Sequence, residues 1–89
     1  MLTKINENMT EYTILTEDNW QKIANSGDVI TMQNITDTVA ILQVVDNAPD
    51  VSIDWGFKLY PRTDKPFVAT HNVYARATNA TLIVVVQKD

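Results

Sequence analysis

Short runs rich in β-branched and aromatic residues recur about every ten residues along this chain, with clusters of Asn, Asp, Gly, Pro and Thr between them. In Val29–Asn34, Ile30 and Met32 share one face while Thr31 and Gln33 take the other, a period of two that belongs to extended backbone. Tyr12–Leu15, Val39–Val45, Gly56–Tyr60, Phe67–Thr70, Asn72–Thr78 and Thr81–Gln87 are the other runs. Such spacing predicts an all-β domain, a small sandwich or barrel of about seven short strands. Thr36-Asp37 predicts a hairpin between the Val29 and Val39 strands, and Asn79-Ala80 a tight one between the last two. Asp46–Asp50 and Pro61–Pro66 read as turns.

One segment breaks the period. Thr16-Glu17-Asp18-Asn19 offers capping side chains ahead of Trp20, Ile23 and Ala24, whose spacing of three and four predicts a short helix or helical turn within residues 17–25. It ends at Asn25-Ser26-Gly27-Asp28, a strong turn signal. Residues 1–11 are polar with isolated Leu2, Ile5 and Met9, and read as an arm that is flexible or orders on assembly, ahead of a single β-domain over residues 12–89.

The chain has 89 residues, 45% of them hydrophobic and 20% charged, which suits a folded domain rather than a disordered one. A core of this size is modest, and without cysteine it has neither disulfides nor a cysteine zinc site to reinforce it. Oligomerisation is the remaining aid. The final run, Leu82–Val86, is apolar at every position, so both of its faces call for a cover. The second cover is either another subunit or the arm and short helix of the same chain. Ile83 and Val85, with Leu2, Ile5 and Met9, are therefore the candidate interface residues.

Seven Lys and Arg spread singly in a chain of net charge −4 give no footprint for a phosphate backbone, so nucleic acid is not an expected partner. The first residues lack a basic start and an apolar run, and no stretch approaches the ~20 apolar residues of a membrane span, so neither export by a leader nor a membrane partner is expected. The sequons at Asn8, Asn34 and Asn79 are read as chance matches in an Asn- and Thr-rich sequence.

Chemistry-bearing groups are sparse. His71 is the single histidine, with no cysteine and no nucleophile motif around it, so no catalytic residues are assigned. Asp46, Asp50 and Asp54 are weak candidates for a metal, because their spacing of four lacks the alternation and the central Gly of a calcium loop. A solvated acidic loop is the plainer expectation, and no cofactor is called for. Trp55 and Tyr60 are an alternative sugar platform, since aromatic faces with polar tips stack on carbohydrate.

Several short segments together carry a likeness. Asn19-Trp20-Gln21-Lys22-Ile23-Ala24, the strand ending Gln33-Asn34, Ala48-Pro49, Gly56-Phe57-Lys58-Leu59-Tyr60-Pro61 and Val73-Tyr74-Ala75-Arg76-Ala77 come in this order before the closing strand. Over about residues 19–87 the chain resembles a group of small bacteriophage virion proteins. The resemblance implies a compact β-domain on the phage particle, a capsid decoration (cement) protein or another head or tail accessory. It further implies a homo-oligomer such as a trimer, with the major capsid protein or another virion protein as partner. By that resemblance the protein is made in the bacterial host cytoplasm and resides in the virion. The alternative is a carbohydrate-binding or host-attachment module of a tail or fibre.

Overall fold

The computed structural model describes residues 10–78 and 82–88, with backbone alone for Tyr12 and residues 82–85. Eight strands run in order: β1 (Thr10–Leu15), β2 (Gln21–Ala24), β3 (Val29–Asn34), β4 (Ala40–Val44), β5 (Phe57–Leu59), β6 (Asp64–Val68), β7 (Val73–Ala77) and β8 (Leu82–Lys88). They form two antiparallel four-stranded sheets, ordered β1-β8-β3-β6 and β2-β7-β4-β5. The pairs nest, β1 with β8, β2 with β7, β3 with β6 and β4 with β5, as if one long hairpin had been rolled up. This is the strand order of a jelly roll, and the expectation of a small all-β sandwich holds.

The core lies between the sheets. Leu15, Ile30, Met32 and Val86 of one sheet meet Ala40, Leu42, Leu59, Val73 and Ala75 of the other, all buried. Burying each Leu, Ile or Met contributes about 1.5–3 kcal/mol, so these few residues supply most of the driving force. In β7 the alternation is clean, with Val73, Ala75 and Ala77 inward and Tyr74 and Arg76 outward.

Three local expectations are corrected. The segment predicted as helical within residues 17–25 contains β2, an extended strand. Its pairing with β7 slips between Lys22 and Ala24, and such a bulge lets the consecutive Ile23 and Ala24 both turn inward. Two adjacent apolar residues after Trp20 imitate helical spacing. Second, neither predicted hairpin exists, because β3 and β4 lie in different sheets, as do β7 and β8. Turn residues mark where the chain reverses and carry no information on which sheet receives it. Third, Asp64-Lys65-Pro66, read as part of a turn, begins β6. A strand at a sheet edge tolerates proline, whose missing donor can face away from the ladder.

Two residues fix the remaining geometry. Asn34 is completely buried, and its side chain is fully used. Its Nδ2 donates to the carbonyls of Thr38 (2.6 Å) and Leu59 (3.1 Å), while its Oδ1 accepts from the backbone N–H and hydroxyl of Thr36. A Cβ on Gly56 would stand 2.2 Å from the Leu42 carbonyl oxygen, so glycine is what lets the chain enter β5 against β4.

Candidate functional site

The two outer faces of the sandwich differ. Over the β2-β7-β4-β5 sheet lies the 45–56 loop, and Arg76 is its anchor. The guanidinium donates to the Glu17 carbonyl through Nε (2.9 Å) and Nη2 (2.6 Å), and through Nη1 to the carbonyls of Val51 (2.6 Å) and Ile53 (2.7 Å). Trp20 Nε1 donates to the same Ile53 carbonyl at 3.0 Å, and the Arg76 guanidinium sits 5.9 Å from the Trp20 ring centroid, within cation–π range. Gln43 Nε2 holds the far end of the loop through the Trp55 carbonyl at 2.7 Å. Ile41, on the outer side of β4, is thereby buried.

The outer face of the β1-β8-β3-β6 sheet carries no such roof among the described residues. Ile14 and Val68 are each 62% exposed and Val29 is 43% exposed. Strand register groups the outward positions in rows, Val29 beside Val68, Thr10 beside Gln87, Thr31 and Pro66, and Gln33 beside Asp64. Asp64 is the one charged residue in those rows. Ile83 is register-paired with Ile14, and Val85 with Tyr12 and Gln33, in the middle of this sheet. Beyond those positions, what Ile83 and Val85 contact lies outside the described residues, as do Leu2, Ile5 and Met9 altogether.

The three loop aspartates do not converge. Asp46 pairs with His71 (Oδ1 to Nδ1, 2.7 Å), Asp50 accepts from the Ser52 backbone N–H at 2.9 Å, and Asp54 borders a polar depression with Glu17, Arg76 and Thr78. The Ser52 N–H, and after it the Ser52 side chain, hold the Asp50 carboxyl below the ordinary carboxylate range. No cluster of three or more metal-ligating side chains occurs among the described residues.

The His71–Asp46 pair supplies two members of a catalytic triad geometry, and among the described residues no hydroxyl is hydrogen-bonded to the imidazole. In the same group of loops, Ser26 Oγ donates to the Thr70 carbonyl at 3.0 Å, and Asn72 bridges the Ser26 N–H and the Asp46 carbonyl. These bonds tie three loops together at one end of the sandwich, and the hydroxyl is spent on a carbonyl rather than aimed at the imidazole.

Trp55 and Tyr60 are both exposed, at 66% and 55%. Trp55 lies with Gln43, Gly56 and Phe57 around a shallow depression whose lining does not include Tyr60. Sequence reasoning passed over Phe57, which is 69% exposed although its strand neighbour Leu59 is buried. Phe57 also borders an apolar cleft of about 220 Å³ where the sheets part between the edge strands β5 and β6, lined by Met32, Leu42, Val44, Val73, Phe67 and Lys65 among others. A scan of protein-family models and searches of curated proteins and of solved structures find no match to this chain.

Proposed function

We propose that the protein is a non-enzymatic structural component of a bacteriophage virion, a decoration (cement) protein that joins copies of itself and the particle shell through the outer face of its β1-β8-β3-β6 sheet. The observation that carries this reading is the asymmetry of the sandwich: one outer face is roofed by the chain's own loop, while the other exposes Ile14, Val29 and Val68 and, among the described residues of its rows, holds a single charge, Asp64. Depletion of charge with retention of apolar groups is the signature of the central part of a protein interface.

Area explains why the contact suits a particle. Four strands about 4.8 Å apart and some six residues long present on the order of 400 Å² a side, roughly half of what a stable pairwise complex buries. One such contact is weak. Many identical contacts on a repeating shell add through effective concentration, as a cement layer requires. The sequence resemblance to small virion proteins supports the same reading.

The test is the double variant Ile14→Asp/Val68→Asp. Both side chains are exposed, so the circular dichroism spectrum and melting temperature should stay close to those of the parent. Cosedimentation with purified phage particles should fall by at least about tenfold, since each buried, unpaired carboxylate costs a kcal/mol or more at an interface. Undiminished occupancy by the variant, or no binding by the parent, would remove the reading.

A glycan-binding or host-attachment module is the second reading, favoured by the exposed Trp55 next to Phe57 and Gln43. It expects saturable tryptophan quenching by a glycan, lost in Trp55→Ala with particle occupancy unchanged.

A further inference from the structure

We propose that the cleft between β5 and β6 is a binding site for a small anionic amphiphile, an alkyl or aryl carboxylate whose tail enters between the sheets and whose head group meets Lys65. This stands independently of the assembly reading, because the cleft opens at the sandwich edge rather than on the outer sheet face.

The floor of the cleft is core. Met32 and Val73 are fully buried and Leu42 nearly so, and they come from both sheets, so the space reaches the interior of the molecule. Its walls are apolar side chains, and a void of that character is filled by an apolar group more readily than by water. A cavity of about 150 Å³ admits benzene, so about 220 Å³ takes a chain or ring of some eight carbons. Phe57 from β5 and Phe67 from β6 stand on opposite sides of the opening, and Phe57 is the most exposed large hydrophobic side chain among the described residues, at 69%.

The polar end of the ligand follows from Lys65. Its register partner is Met32, which turns it to the inner side of β6, where its methylene stem lines the cleft and its ammonium is free to reach water. Among the described residues the lysine and arginine ion pairs are Arg62–Asp37 and Lys88–Asp28, so there Lys65 has no carboxylate partner. A cation at the rim of an apolar slot recognises an acid with a hydrocarbon tail. An inserted β-strand fits less well, because Pro66 at the centre of β6 removes a donor from this edge.

The experiment is a titration of the full chain with octanoate, below its micelle concentration, and in parallel with 1-octanol, followed by methyl NMR. Saturable shifts at the methyls of Met32, Leu42 and Val73, with none at Ile14 or Val68, are expected. Lys65→Gln should weaken octanoate about three- to fivefold, the range of an exposed ion pair, and leave 1-octanol unchanged. Val44→Phe, which fills the slot from a half-buried position, should weaken both ligands by about tenfold or more. Should that variant fold poorly, Phe57→Ala removes an exposed wall and should weaken both without lowering stability. Absence of saturable shifts up to millimolar ligand, shifts confined to the outer sheet face, or equal binding by the filled variant would each overturn the site. Unchanged octanoate affinity in Lys65→Gln would overturn the anionic head group.

Discussion

Asn34 is the residue on which the open edge of the sandwich depends. Every hydrogen-bonding site of its amide is matched inside the protein, and its own backbone carbonyl accepts the Arg62 N–H at 2.8 Å, which steadies the turn where Arg62 takes a positive φ of 61°. The adjoining Arg62–Asp37 ion pair is exposed on both sides and adds little. Asn34→Ala strands the Leu59 and Thr38 carbonyls in the interior, so a loss of about 2–4 kcal/mol is expected in urea unfolding. A change below 1 kcal/mol would show that water replaces the amide. The sequence displays Asn34 only as a strand-ending residue and a chance sequon: its bonds to Thr36 and Thr38 are local, but the Leu59 carbonyl that makes it a core residue lies 25 positions away. Asp50 is simpler: its lowered pKa makes a small stabilising contribution that is present above the ordinary carboxylate range and lost as pH falls through the folded value.

Among elements, the strands were readable wherever side chains alternate, as in Val29–Asn34 and Val73–Ala77, since period two survives any arrangement of sheets. β2 was not, because its bulge sets Ile23 and Ala24 side by side on the inner face. Strand partners were not legible either, as four pairs nest about the β4–β5 connection and most join residues far apart in sequence. The roof loop of residues 45–56 could be seen as a loop, yet its attachment is shared by Trp20, Gln43, Asn72 and above all Arg76, which the sequence shows only as the outward residue between Ala75 and Ala77. Arg76→Ala should loosen the middle of the loop, partly expose Ile41 and Trp20, and cost about 2–3 kcal/mol with a red shift of tryptophan emission. Arg76→Lys should rescue little, because an ammonium lacks the planar fork that reaches Glu17, Val51 and Ile53 at once. Full rescue by lysine would reduce the role of Arg76 to its charge.

For the whole molecule, nested pairing has a kinetic cost. Closing β1 on β8 or β2 on β7 joins residues about fifty or more positions apart, and such loops must close before their contacts repay the entropy. Stopped-flow refolding followed by tryptophan emission should therefore run in milliseconds to seconds, and a microsecond phase carrying the full amplitude would contradict this topology. The apolar closing strand was legible as a strand needing two covers, whereas the charge-poor sheet face and the β5–β6 cleft emerge only once four strands from distant parts of the chain lie side by side. The same nesting sets Thr10 opposite Gln87 across one ladder, at the edge of the sheet farthest from β6. A probe attached at the exposed Thr10 would thus stand at the rim opposite the slot.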